Sequence, residues 1–269
     1  MEGERVEELV LVLDDILERV REKLLSEWRE ERDMLGFNVK GDETRKFDVM
    51  AERFLVDEIK KRYPEAAFFA EEEGEIGGEG PFIVLDPVDG STNFLRGIGA
   101  CSVSVAVADE PYLESVKVGV VKNLISGDTY VGVKGMGAFL NGRLIKASDV
   151  SELGEAIVGV DLDFPDRTEV SKVFPLIMKA RKLRKIGSNA LEIAYVAHGG
   201  YDAFVDVRGV LTCESFLGAK IILEEAGGVI TDGDGREIKG KVDLSKRWTI
   251  IASGNRILHN EISKVLKEK

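Results

Sequence analysis

Val6, Leu9, Val10, Val12, Leu13, Ile16, Val20 and Leu24 recur three and four residues apart, with charged residues filling the gaps. That spacing predicts an amphipathic helix over roughly 4–33. Residues 37–45 hold Gly41 and no periodicity, which reads as a loop. A second helix is expected over 47–63, ended by Pro64. Phe82-Ile83-Val84-Leu85 is a short apolar run that stops on Asp86, the pattern of a buried strand delivering its last residue to a site. Alternation over 101–108 and 115–122 predicts two more strands. The glycines of 129–144 and the Asn141-Gly142 pair suit two strands joined by a tight turn. From about residue 155 the chain reads as a strand at 156–160, a helix at 170–182, and a helix at 190–198 stopped by Gly199-Gly200. A strand at 201–207 and a helix at 214–226 follow, then short strands at 229–231 and 249–252 and a helix from Arg256. Strands and helices alternate without repeats or a low-complexity linker, so a layered α/β or α+β architecture is expected.

Composition narrows the class. The chain has 269 residues, 44% of them hydrophobic, enough for a large core in one unit or two closely joined halves. Its net charge of -12 gives no general attraction for nucleic acid or an anionic membrane. The same charge repels a free phosphate ester, so a phosphate site here needs bound cations. Two cysteines, Cys101 and Cys213, make no disulfide framework and fit a reducing compartment. Met1 runs directly into Glu2, Glu4, Glu7 and Glu8, and no uncharged apolar run is long enough to cross a bilayer. A cytoplasmic protein with no membrane partner is the expectation. Glutamine is absent and 32% of residues are charged, a thermophile-like bias.

The chemistry concentrates in Asp86-Pro87-Val88-Asp89-Gly90-Ser91-Thr92-Asn93-Phe94. Two carboxylates lie three apart across a proline at the end of an apolar strand. A buried unpaired charge is very costly, and a hard divalent cation is the natural partner. Magnesium, which takes oxygen ligands and keeps several waters, fits best. Gly90-Ser91-Thr92-Asn93 reads as a tight turn opening a helix, whose free amides suit a phosphate. Alone, an Asp-Pro or Asp-Gly pair is an ordinary turn, and Ser91 an ordinary helix cap. The nine-residue run as a whole resembles the signature of the inositol monophosphatase superfamily, Asp-Pro-(Ile/Leu/Val)-Asp-Gly-(Thr/Ser)-x-Asn. Further similarity lies in Gly41-Asp42-Glu43-Thr44 with Asp48, in Ala70-Glu71-Glu72-Glu73-Gly74, and in Arg184-Lys185-Ile186-Gly187-Ser188. Ala190-Leu191-Glu192, Tyr195-Val196-Ala197, Tyr201-Asp202-Ala203-Phe204 and Glu225-Ala226-Gly227-Gly228 extend it from about residue 41 to 255.

The resemblance implies a layered αβαβα sandwich of the α+β class, with residues 1–150 carrying most metal ligands and 151–269 supplying the substrate side. It implies a phosphatase for small phosphorylated polyols or sugars, with two or three magnesium ions per site and a homodimeric assembly. Glu71, Asp86, the Val88 carbonyl and Asp89 then match the metal ligands. Asp48 and Ser91 match a water-activating pair, with Glu71 beside them. Gly90, Ser91, Thr92, Ser188, Glu192 and Arg208 fall on the substrate side. Arg167, Lys172 and Arg184 are either second-phosphate contacts or ordinary surface charge. The implied reaction is direct attack of a metal-activated water on a phosphomonoester such as inositol 1-phosphate or fructose 1,6-bisphosphate, without a covalent intermediate.

One departure stands out. The family's second-metal aspartate falls on Ser215, preceded by Glu214. Either Glu214 carries its carboxylate into that place and Ser215 caps the next helix, or Glu214 is a plain helix-terminal acid and the second site is weak. Two other readings follow: a 3'-phosphoadenosine nucleotide phosphatase, or a catalytically weakened member with a binding or regulatory role. Gly132-x-x-Gly135-x-Gly137 opens no helix and is no dinucleotide fingerprint, and His198 and His259 have no zinc-like spacing.

Overall fold

The apolar stripe of the N-terminal helix is buried from Val6 through Leu9, Leu13, Ile16, Leu17 and Val20 to Leu24. The computed structural model describes residues 3–27, 34–37 and 43–268. This helix, α1 (Gly3–Glu27), carries the expected stripe, and the remainder of the expected range, 28–33, lies outside the described residues. Next come β1 (Met34–Phe37), β2 (Glu43–Arg45) and α2 (Lys46–Arg62), then β3 (Ala67–Ala70), β4 (Gly74–Ile76), β5 (Phe82–Asp89) and α3 (Ser91–Arg96). The first half closes with β6 (Ser102–Ala108), β7 (Val116–Asn123), β8 (Thr129–Val133), β9 (Gly137–Leu140) and β10 (Arg143–Ile145). The second half runs β11 (Ile157–Val160), α4 (Phe174–Lys179), β12 (Lys182–Arg184), α5 (Asn189–Ala197), β13 (Ala203–Leu211) and α6 (Leu217–Glu225). It ends with β14 (Val229–Thr231), β15 (Trp248–Ser253) and α7 (Arg256–Val265).

An eight-stranded sheet has the order β10-β9-β8-β7-β6-β5-β3-β4, and a five-stranded sheet β12-β11-β13-β15-β14. Side-chain alternation gives each sheet two apolar faces. Ile83, Leu85, Val103 and Val105 of the large sheet pack with α1 and α2. Val84, Ala106, Val121 and Tyr130 on its other face meet α5 and α6, which are in turn covered by Phe204, Ile250 and Ala252 of the small sheet. The far face of the small sheet, with Val158, Val205 and Ile251, packs on Leu176 of α4 and Leu258 and Ile262 of α7. The layers are therefore helix, sheet, helix, sheet, helix, the αβαβα sandwich of the α+β class. The middle helices belong to one core shared by both sheets. Among the described residues no helix is long and apolar enough to cross a membrane.

Several elements differ from the sequence pattern. Residues 37–45 contain part of an antiparallel pair, β1 with β2, rather than a plain loop; 38–42 lie outside the described residues. Residues 170–182 do not form one helix. A 3-10 turn at Arg167–Val173 gives way to α4, which has a proline in its first turn, and the chain then enters β12. Proline has no N–H for a preceding helix to use, but suits the start of a new one. Residues 129–144 make three strands, with Asn141 at φ 51° and Gly142 at φ 74° turning β9 into β10. The helix expected over 214–226 is split into a 3-10 turn, Cys213–Ser215, and α6.

Candidate active site

The two motif carboxylates face the same way because β5 carries an extra residue. Asp86 pairs with Ser104 of β6, and Asp89 pairs with Ser102, so β5 advances three residues while β6 advances two. On a regular strand, residues three apart point to opposite faces. Here Leu85 and Val88 both pack on the α1–α2 side, and Val84 lies on the α5–α6 side. Alternation from Val84 places Asp86 on that inner face, and hydrogen bonds from α5 hold Asp89 there too. Pro87 has no amide to give the ladder, and the Val88 amide turns back to Asp86 Oδ1 at 3.1 Å. Both carboxylates are buried, with Asp86 2% and Asp89 5% exposed.

Asp89 reaches a hundred residues along the chain. Its Oδ2 accepts from the Ser188 hydroxyl at 2.6 Å and the Ala190 amide at 2.8 Å, and its Oδ1 from the Asn189 amide at 3.1 Å. The carboxylate thus satisfies the open amides at the start of α5. Burial raises its pKa to about 6 despite these bonds, and the charge of Glu71 adds to the rise. With the Ser102 hydroxyl also donating to Oδ2 at 3.4 Å, Oδ2 is engaged three times and Oδ1 once, so the spare acceptor capacity lies on Oδ1. Gly90 then takes φ +87°, and a Cβ there would meet the Ala100 and Gly187 carbonyls at 3.0 Å each. Gly90 also holds the capping position of α3, so Ser91 is its first helical residue and not its cap. Thr92 is exposed and Ser91 half-buried. Asn93 fastens the turn to the loop before α5, donating to Ala100 O at 2.7 Å and Ile186 O at 2.5 Å.

Glu71 arrives beside Asp86 through strand pairing. β3 runs parallel to β5 with Ala70 opposite Leu85, so the next residue on each strand is Glu71 and Asp86. Asp48, on the first turn of α2, is buried and accepts from the Arg45 amide at 3.3 Å. Burial raises its pKa well above the usual range, and the charges of Glu71 and Glu72 add to the rise. Among the described residues no hydrogen bond joins Asp48 to Ser91. Gly41 and Asp42 lie outside the described residues. Glu52 was not singled out by the sequence. It is fully buried, accepts the Glu72 and Glu73 amides at 2.7 Å each, and burial brings its pKa to about 7. The signal that could have found it is its place one helical turn after Asp48, on the buried side of α2.

Glu214 is 1% exposed on the 3-10 turn, which packs against β5 and β6. Its carboxylate meets the Thr212 hydroxyl, and the Cys213 thiol lies 3.8 Å away. Ser215 does not cap α6, whose capping position is Phe216 and has no side-chain cap bond. The helix is anchored by buried Phe216, Leu217, Ile221 and Ile222. Cross-strand from Asp86, the Ser104 hydroxyl is buried without a hydrogen-bond partner.

Of the expected substrate-side residues, Ser188, Glu192 and Arg208 are engaged with other residues of the protein. Ser188 is fully buried and turned into Asp89. Glu192 is fully buried, with Oε1 3.4 Å from the Ile186 amide, Oε2 unpartnered, and a pKa pushed by burial to about 8. Arg208 grips Asp206 with Nε at 2.9 Å and Nη2 at 2.5 Å, and its Nη1 lies 3.1 Å from Asp161. Lys185, 2.8 Å from Asp163 and 3.8 Å from Asp161, completes this network beside the Ile186-Gly187 loop. Arg167 pairs with Asp163 at 3.4 Å, Lys172 with Glu169 at 2.8 Å, and exposed Arg184 donates to the Leu183 carbonyl at 2.8 Å.

The donor set suits a hard cation. Glu71, Asp86 and Asp89 are oxygen donors near one end of β5, and the charge of Glu71 adds to the raised pKa of buried Asp48 and Asp89. The orphaned Ser104 hydroxyl marks polar space next to Asp86. Among the described residues no group of three or more acid, histidine or cysteine side chains is arranged to hold a metal ion by itself. Magnesium does not need one, because it binds through one or two carboxylates and completes its shell with water and substrate phosphate.

Known proteins resemble this chain in sequence and fold. A fructose-1,6-bisphosphatase/inositol-1-monophosphatase of Methanothermobacter thermautotrophicus is 36% identical over 247 residues, covering 87% of each chain. A bifunctional NADP phosphatase/NAD kinase of Methanococcus maripaludis is 32% identical over 262 residues, and the match spans 89% of this chain but only 45% of that protein. The solved structure of the Thermotoga maritima IMPase superposes with a TM-score of 0.82 at 30% identity, covering 97% of this chain and 96% of that one. The profile of the inositol monophosphatase family matches residues 6–269, and the chain belongs to that family.

Proposed function

We propose that this chain uses magnesium to hydrolyse phosphate monoesters of small polyols or sugars, with inositol 1-phosphate and fructose 1,6-bisphosphate as its substrates. As a member of its family the chain is a phosphoric monoester hydrolase. The observation that carries the site assignment is the bulge of β5, which turns Asp86 and Asp89 to one face directly before the Gly90 turn. Glu71, Asp86, the Val88 carbonyl and Asp89 are the residues that would hold the cations, with Glu214 at a second one. When bound, the cations lower the pKa of water and neutralise charge on the leaving oxygen. Asp48 and Ser91 orient the attacking water and take its proton. The first amides of α3, unsatisfied within the helix, bind the phosphoryl oxygens. A homodimer in the cytoplasm is the assembly and location we propose.

The assay is phosphate release from both esters, with magnesium and after chelation. Activity should require the metal, and Glu214→Gln should raise the magnesium concentration for half-maximal rate. Turnover that survives thorough chelation sinks this reading. NADP and a 3'-phosphoadenosine nucleotide complete the substrate panel, because the relative from Methanococcus maripaludis is named an NADP phosphatase. Faster release from either nucleotide than from the polyol and sugar esters assigns the chain to nucleotides instead.

A further inference from the structure

We infer that Glu52 is the positioning residue for Glu71, holding the turn that aims Glu71 at the cation. The inference rests on the assignment of Glu71 as a cation ligand. The turn 71–73 joins β3 to β4, where Ala70 pairs with Gly74. Glu71 therefore leaves the sheet at its first position and depends on that turn for direction. Glu52 projects from the buried side of α2 and accepts both following amides, Glu72 N at Oε2 and Glu73 N at Oε1, each at 2.7 Å. It is fully buried.

The geometry explains why the residue is an acid. One carboxylate accepts two parallel N–H groups at once, as charge-assisted bonds. A glutamine accepts one and sets its own N–H2 against the other, and an apolar residue leaves two partly buried amides without this acceptor. Burying a carboxylate among the acids Asp48, Glu71 and Glu72 is an expensive way to close a turn for stability alone. It makes sense where the direction of Glu71 matters, since partners behind a metal ligand set its orientation. Arg53 braces the outer side of the same turn, 2.8 Å from Glu73, but is exposed and among the described residues reaches only that side chain.

The test is magnesium titrated calorimetrically into the full-length, chelator-stripped protein, with amide hydrogen exchange read over residues 71–74. Glu52→Gln should weaken magnesium binding roughly ten- to a hundredfold, the range for partners behind a metal ligand. It should also speed exchange at the Glu72 and Glu73 amides. Glu52→Asp keeps the charge but is one methylene shorter; it should shift affinity in the same direction by less, and it serves if the glutamine variant does not fold. Glu71→Gln is the control. If Glu71→Gln loses affinity while the Glu52 variants bind as the wild type does, even with a lowered melting temperature, Glu52 is merely structural and the inference is overturned. If Glu71→Gln itself binds magnesium normally, the ligand assignment has failed instead.

Discussion

Ser91 shows how one position can separate a catalytic role from a structural one. A serine at a helix start usually caps it, and losing a cap costs about 1 kcal/mol. Gly90, in a left-handed conformation, occupies the capping position here, and Ser91 sits inside the first turn. Ser91→Ala therefore has no cap to lose, and alanine is the better helix former. The expected result is an unchanged or slightly raised melting temperature with turnover lowered about 10²–10⁴-fold, the range for assisted proton transfer. Parallel thermal unfolding and steady-state kinetics on the one variant check it. A lowered melting temperature with near-normal turnover returns Ser91 to a structural role. Asp48 is close enough to Glu71 and Glu72 to feel their charges, but it makes no bond to Ser91 among the described residues. In the proposed mechanism, water or substrate bridges the two.

At the scale of elements, the site depends on how closely α6 lies on the large sheet. A Cβ on Gly119 of β7 would fall 2.1 Å from the Gly218 carbonyl, and one on Gly132 of β8 would fall 2.6 Å from Ile222 Cα. Both obstacles are helix backbone, so no side chain can move aside. Gly132→Ala has to lift α6, with an overpacking cost of about 1–3 kcal/mol or more. Because α6 follows directly from the Cys213–Ser215 turn, the same lift should pull Glu214 away from β5. We expect a lower melting temperature together with a higher magnesium requirement, read by thermal unfolding at several metal concentrations. A stability loss with unchanged metal dependence would mean that the turn is held independently of the helix. None of this seating was legible in the sequence, where Gly132 looked like part of a glycine-rich hairpin. What could be read was local: the stripe of α1, the apolar run of β5, the helices α5 and α6, and the nine-residue motif with its carboxylates. What escaped depends on distant partners. β3, Ala67–Ala70, is buried on every side and has no alternation to betray it. Asp89 finds its donors at 188–190 only once the large sheet has been stacked on α5, and Arg208 finds Asp161 only once β11 and β13 have paired.

For the whole molecule, the same stacking encloses acids that an already acidic chain can ill accommodate. The net charge is -12, and Glu192 lies fully buried between the two sheets with one carboxylate oxygen unpartnered. Burial pushes its pKa from 4.5 to about 8. The folded protein therefore keeps a proton on Glu192 that the unfolded chain releases near pH 4.5. Between those two values the folded state binds more protons, and stability falls as pH rises. The contribution is complete below about pH 4.5 and lost as pH passes about 8. Glu192 is not itself a proposed cation ligand, but the charge of Asp89 adds to its rise, so the measurement is made on chelator-treated protein to keep metal at Asp89 from interfering. Urea unfolding at pH 5, 6.5 and 8 in chelator should show wild-type stability declining across the series. Glu192→Gln, which never ionises, should flatten that decline and exceed the wild type at pH 8. Equal slopes for the two proteins would mean that Glu192 titrates as an ordinary exposed acid, and that water reaches the layer between the sheets.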